Sequence, residues 1–314
     1  VASFPFSRIT RRIPEAGIAG AFLVLVIVFS WLSPVFFTYA NFINVANQTA
    51  IISVLAFGMT LVMLSGGIDL SVGSLVSLSA VVCALLLDRS GSVALAMGGA
   101  LAVGLGFGTL SGFVSVRWGV QSFLVTLGTL SVARGLSLVL SDGRTVYIES
   151  ERFLAVTAQG FVGPVPVLFA WTLVFFIACW VLLNLTVFGR RLRAVGGNIV
   201  AARQAGLRTG WIIVRVFMLS GSLAAFAGLM MAGRLSSGLP TVGVGMELDA
   251  IAAAVLGGTG FKGEGGSLAG TLFGALIMGT VINGLTLLGV NPYVQEIAKG
   301  VIIVLAVILV SVRK

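Results

Sequence analysis

Residues 45–87 read VANQTAIISVLAFGMTLVML, then SGGIDL, then SVGSLVSLSAVVCALLL: an apolar run, an interruption with paired glycines and an aspartate, and a second run rich in small residues. A helix crossing a bilayer needs roughly 20 consecutive apolar residues, so both runs are read as spans. Gly66 and Gly67 melt the helix between them. Non-helical backbone at membrane depth is tolerated only where it is buried in protein or lines a cavity, and an acidic residue there is expensive. Asp69 is therefore a candidate pathway residue. It also suits the N-cap of a helix starting at Leu70 or Ser71, where its oxygens accept backbone N–H bonds and its charge faces the helix dipole. The two roles are compatible.

The same alternation of apolar run and short connection extends in both directions, with runs at roughly 17–37, 45–64, 71–87, 92–116, 121–140, 166–188, 211–233, 247–259, 266–289 and 294–312. The third and eighth are short, flanked by glycine near Gly66-Gly67 and Gly257-Gly258, and are read as short or broken segments. The chain of 314 residues is 58% hydrophobic and 9% charged, with a mean hydropathy of +1.13. This composition excludes a soluble enzyme. The expected fold is an all-α polytopic membrane protein of about ten transmembrane helices, one domain over 1–314. The basic start at Arg8, Arg11 and Arg12 leads into an apolar run without a small-residue cleavage site, so the first span is expected to stay uncleaved. Histidine is absent, which removes the commonest general base, proton relay and transition-metal ligand. Cys83 and Cys179 lie in apolar runs and are read as packing residues. No metal site and no catalytic residue is expected.

Lys and Arg accumulate on the cytoplasmic side of short loops. An even number of spans with the N-terminus inside places Arg8, Arg11, Arg12, Arg117, Arg190, Arg191, Arg193, Arg203, Arg208, Lys262, Arg313 and Lys314 in the cytoplasm. Only Arg89, Arg144, Arg152 and Arg234 fall outside, and both termini are expected to be cytoplasmic. Asp88, Asp142, Glu149, Glu151, Glu247 and Asp249 fall near the outer face. The net charge of +9 is thus an orientation signal and not a nucleic-acid footprint.

Two rows of glycines at four-residue spacing, Gly104/Gly108/Gly112 and Gly266/Gly270/Gly274, put bare backbone on one helix face and are read as close-packing surfaces. An apolar span running into a Gly-rich break and then a small-residue helix occurs at both 55–87 and 247–282, which hints at an internal duplication. The segment 257–266 contains a formal G-x-G-x-x-G at Gly258, Gly260 and Gly263. No soluble strand precedes it, no acidic residue follows about 20 positions on, and it lacks the G-K-[ST] ending of a phosphate loop, so it is read as a flexible turn. The longest cytoplasmic loop, about 189–209, has a short helix at its centre. Asn198 is placed to N-cap it, Ile199 to Ala205 are helix-compatible, and Gly206 stops it as a C′ glycine. Such a helix suits a groove on a partner protein, and equally a basic loop lying on anionic headgroups.

Three stretches carry a family resemblance: Gly58-Met59-Thr60 through Ser65-Gly66-Gly67-Ile68-Asp69-Leu70-Ser71-Val72-Gly73-Ser74; Ala194-Val195-Gly196-Gly197-Asn198 with Ala201-Ala202-Arg203 and Gly206; and Glu247-Leu248-Asp249-Ala250-Ile251-Ala252 through Gly257-Gly258-Thr259. Weaker matches at 121–130 and 283–285 extend it over nearly the whole chain. The chain resembles the permease subunits of bacterial carbohydrate ABC importers of the ribose, xylose and galactose group, relatives of autoinducer-2 permeases. The resemblance implies a multi-pass protein of the bacterial cytoplasmic membrane that is not itself an enzyme. It implies a second permease copy or homologue, a cytoplasmic ATPase subunit, and an external sugar-binding protein delivering a monosaccharide or small polyol. No cofactor is implied in this chain; ATP and Mg belong to the partner ATPase. The resemblance also carries the ATPase-coupling role onto Gly196, Gly197, Asn198, Ala201, Ala202, Arg203 and Gly206.

Candidates for the pathway are the intramembrane polar residues near the Gly66-Gly67 break and in the second and fifth spans: Asn47, Gln48, Asp69, Gln121, Thr126 and Thr129, with Asn283 nearby. For each, an interhelical hydrogen bond is the plainer account. A sugar site would also want aromatic stacking, and the aromatic residues here are mostly Phe (21, against 5 Trp and 3 Tyr), so affinity no better than roughly millimolar is expected. The alternative function is an ion-coupled secondary transporter, which wants titratable groups at mid-membrane. Only Asp69, Arg134, Glu296 and Lys299 qualify, and the last two are spaced for a local ion pair near the outer end of one helix.

Overall fold

A computed structural model describes residues 14–261, 263 and 265–312. The cytoplasmic placements expected for Arg8, Arg11, Arg12, Lys262, Arg313 and Lys314 lie outside these residues. Every apolar run is helical: in chain order α1 (Pro14–Leu32), α2 (Tyr39–Leu64), α3 (Val72–Ser90), α4 (Val93–Trp118), α5 (Ser122–Ser141), the short α6 (Glu151–Leu154), α7 (Val167–Leu185), α8 (Val187–Gly197), α9 (Ile199–Gln204), α10 (Thr209–Leu235), α11 (Met246–Leu256), α12 (Leu268–Leu287) and α13 (Pro292–Val312). Among the described residues seven helices are long and apolar enough to cross a membrane: α2, α3, α4, α5, α7, α10 and α12. The molecule is an all-α polytopic membrane protein. The third run forms a helix of 19 residues. The eighth, α11, has 11 residues, about 16 Å of helix against a hydrocarbon core of about 30 Å.

Helix ends differ from the sequence reading where a single residue intervenes. The first helix stops at Leu32, short of 37, because Pro34 offers no N–H and disfavours helical backbone at Ser33. The second starts at Tyr39, ahead of 45, because the Thr38 hydroxyl accepts the Asn41 N–H at 3.3 Å and caps it. The connection after α5, which falls between the apolar runs, has structure of its own. Val146–Tyr147 (β1) pairs antiparallel with Ser237–Gly238 (β4), and Phe161–Val162 (β2) pairs with Val165–Pro166 (β3).

The centre of the bundle is α2, α3, α10 and α12, whose lengths are mostly buried, while α4, α5 and α7 expose most of theirs. The first glycine row works as expected: a Cβ at Gly104 or Gly108 would run into the carbonyl oxygens of Gly221 or Phe217, and one at Gly112 would lie 2.9 Å from the Val214 Cα, so α4 sits directly on α10. In the second row, Gly270 and Gly274 press on α11 at Gly257 and Ala253. Gly266 precedes α12 and packs on Thr259 in the break instead.

Candidate functional site

The chain leaves α2 at Leu64 and runs unwound to Val72. Gly66 has φ +82°, a left-handed conformation that glycine alone adopts freely. The freed backbone is re-satisfied from α5: Ser122 Oγ accepts the Ile68 N–H at 3.2 Å, and Thr126 Oγ1 accepts the Leu70 N–H at 3.1 Å. Because Leu70 is held sideways by Thr126, α3 begins at Val72 and not at Leu70 or Ser71. The helix start expected at Leu70 or Ser71 moves to Val72, so Asp69 is not its N-cap residue, although it does accept a backbone N–H as expected. Ser71 is the N-cap residue, without a side-chain cap bond, and Asp69 Oδ1 takes its N–H at 3.0 Å and its hydroxyl at 2.6 Å. The other carboxylate oxygen accepts the Ser220 hydroxyl of α10 at 2.8 Å. Asp69 is fully buried, a pin joining the break to α10.

A second break lies between α11 and α12, where Thr259 and Gly265 form an isolated antiparallel bridge. Both breaks meet the end of α8. A Cβ at Gly196 would overlap the Leu64 carbonyl oxygen and approach the Gly263 Cα at 3.4 Å. Only bare backbone fits there, so one residue of α8 touches the last residue of α2 and the loop that leads into α12.

Beyond Gly197, Asn198 Oδ1 accepts the N–H groups of Val200 (3.0 Å) and Ala201 (2.9 Å), capping α9. Gly206, with φ +81°, donates to the Arg203 carbonyl at 3.0 Å while Leu207 donates to that of Ala202 at 3.1 Å, the paired bonds of a Schellman turn. Of the two alanines, Ala201 faces out and Ala202 is only 5% exposed, packed into the core. Ala202 therefore seats α9 on the bundle and leaves the outer face to Ile199, Val200 (62% exposed), Ala201 and Arg203.

Gln48 is roughly 24 Å back along α2 from Leu64, at the opposite end of the bundle. There Gln48, Met231, Arg234, Val244, Asp249 and Lys299 line a cavity of about 290 Å³. Gln48 Oε1 is buried without a hydrogen-bond partner among the described residues. Lys299 Nζ is 2.8 Å from Glu296 Oε1, the expected local pair, and also 3.5 Å from Asp249 Oδ2. Glu247 and Asp249, read as lying near the outer face, are buried side chains of α11. Below the cavity, Ile52 packs with Ala56, Ala253 and Ala275, and Thr60 and Thr271 share a 2.7 Å hydrogen bond. These residues close α2 against α11 and α12.

Gln48 alone of the expected pathway residues lines this cavity. Asn47 is half-buried, with Oδ1 lacking a partner among the described residues. Gln121 is exposed at the head of α5. Thr129 bonds Ser111 of α4 at 2.8 Å, and Asn283 donates to Asn41 at 2.9 Å. The sequence reading placed Arg234 outside and Asp249 near the outer face but named neither as a pathway residue, and it did not single out Ser220. Arg234 ends an apolar span, a position that distinguishes a loop charge from a cavity charge only once the neighbouring helices are in place.

The family model described as "Branched-chain amino acid transport system / permease component" matches residues 41–307. The chain is 42% identical over 294 residues to the ribose import permease protein RbsC of Escherichia coli (strain K12), covering 92% of this chain and 91% of that protein. It is 40% identical over 293 residues to RbsC of Bacillus subtilis (strain 168), covering 91% and 89%. With the L-arabinose ABC transporter permease protein AraH of Azospirillum brasilense it shares 38% identity over 306 residues, covering 97% and 89%. No solved structure matches.

Proposed function

The chain belongs to this permease-component family, and from that membership we infer that it is the membrane-spanning permease subunit of an ABC importer of sugars. The family description speaks of branched-chain amino acids, but the ribose and arabinose permeases reported above align over nine-tenths of the chain or more. A carbohydrate is accordingly the substrate class: a monosaccharide or small polyol, handed over by an external binding protein. The protein sits in the bacterial cytoplasmic membrane with about ten membrane segments and both termini inside. Two permease copies, or one with a homologue, form the pathway. A separate cytoplasmic ATPase binds ATP and Mg.

The observation that carries the coupling reading is the construction of α8 and α9. A capped six-residue helix holds Ile199, Val200 and Ala201 outward on a loop otherwise rich in arginine, a surface made for a partner groove. The same element touches both breaks through Gly196. ATPase movement at α9 would thereby reach the unwound segments at the core of the protein. The pathway starts at the opposite end, in the cavity of Gln48, Arg234, Asp249 and Lys299, whose polar groups suit weak, reversible contacts with sugar hydroxyls. Affinity purification of the tagged chain, expressed together with the other subunits of its transporter, tests the reading. An ATPase subunit is expected to co-purify, and to be lost in Ala201→Glu; a permease that purifies without one contradicts it.

A further inference from the structure

Two adjoining cavities lie on the outer side of α8 and α10, away from the sugar-facing cavity. The first, about 530 Å³, is lined by Arg191 of α8, the Gly206-Leu207 turn, and Arg208, Trp211 and Arg215 at the start of α10. The second, about 350 Å³, is lined by Leu105 of α4, Leu182 of α7, Phe188 of α8, and Arg215, Met218 and Leu219 of α10. Arg215 belongs to both. One cavity is basic, the next is apolar, and they run end to end along α10.

We propose that this pair of cavities holds one anionic phospholipid, with its phosphodiester among Arg191, Arg208 and Arg215 and an acyl chain along Leu105, Leu182, Phe188 and Leu219. None of the three guanidinium groups makes a hydrogen bond or ion pair with another described residue, and no acidic residue lines either cavity. Three like charges at one spot repel each other until an anion sits between them. The planar guanidinium fork matches phosphate oxygens two at a time.

The apolar half decides the source of the phosphate. Arg215 stands in the second turn of α10, and the groove continues to Ser222, roughly 10 Å deeper. A free phosphate needs no such groove, and an acidic loop of an ATPase would not enter it. The exposed indole of Trp211 at the mouth is placed as interfacial tryptophans are. A lipid so held ties α8 to α10 beside the Gly206 turn, so it steadies α9 for docking.

Native mass spectrometry of the purified full-length chain, released from micelles with graded phosphatidylglycerol, phosphatidylcholine or inorganic phosphate, tests this. Phosphatidylglycerol is expected to be retained several-fold better than phosphatidylcholine. Retention is expected to fall about fivefold in Arg215→Gln and further in the Arg191→Gln/Arg208→Gln/Arg215→Gln variant, as basic contacts to anionic lipid are lost. These side chains make no hydrogen bond or ion pair with other described residues, so their replacement by glutamine breaks none. Equal retention of both lipids, or retention unchanged in the triple variant, would mean ordinary lipid solvation and overturn the proposal. Displacement of phosphatidylglycerol by millimolar inorganic phosphate would overturn it in favour of a free anion.

Discussion

Asp69 takes three hydrogen bonds from Ser71 and Ser220 with no access to water. Its replacement by alanine strands a buried N–H and two hydroxyls, at about 1–3 kcal/mol for each group left unpaired. Asp69→Ala is expected to lose about 3 kcal/mol or more, and Asp69→Asn less, because one carbonyl oxygen remains to accept. Thermal unfolding in detergent, followed by near-UV circular dichroism, checks the order wild type, Asn, Ala; equal melting of all three would show that the pin carries no load. Two glycines beside a carboxylate in an apolar run cannot sit in a plain helix, so the break was legible from the sequence. Its partners were not: Ser122, Thr126 and Ser220 lie 54 to 151 positions away, and their hydroxyls look like those of any small polar residue in a membrane helix. Ala201 and Ala202 were likewise indistinguishable until the axis of α9 set one outward and the other inward.

At the scale of elements, the lever proposed for α8 and α9 has two separable contacts. Ala201→Glu alters only the exposed face and is expected to cut ATP-driven uptake by more than about tenfold, the loss of one interface hot spot, with the protein still folded. Gly196→Ala leaves that face intact but forces backbone apart at Leu64, an overpacking cost of about 1–3 kcal/mol. It is expected to keep the ATPase bound while uptake falls. Co-purification and uptake measured on both variants distinguish the two; loss of the ATPase in Gly196→Ala would make the inner contact part of the docking surface. Asn198 and Gly206 announced the ends of α9 because capping is local chemistry. The small ladders after α5 left no such sign, since two-residue strands have no periodicity to read and β1 pairs with a segment some 90 positions away.

Across the whole molecule, the apolar runs located the helices because lipid forces the backbone to satisfy itself within each segment. The charges were harder to place. A count of loop charges tells the side of the membrane but not the depth: Asp249 turns inward onto Lys299 and Glu247 against Gly73. The orientation remains a simple test. Cysteine introduced at Glu149 is expected to react with an impermeant maleimide in intact cells, and cysteine at Arg193 only after permeabilisation; the reverse pattern would invert the molecule. On the proposed function, ATP acting on α9 drives sugar movement through this chain. Uptake of labelled ribose or arabinose, with the matching binding protein and ATPase present, should be followed in vesicles under two conditions: ATP supplied with all ion gradients collapsed, and ion gradients imposed without ATP. Uptake in the first and none in the second is the result expected here; uptake driven by the gradient alone would make this chain a secondary transporter.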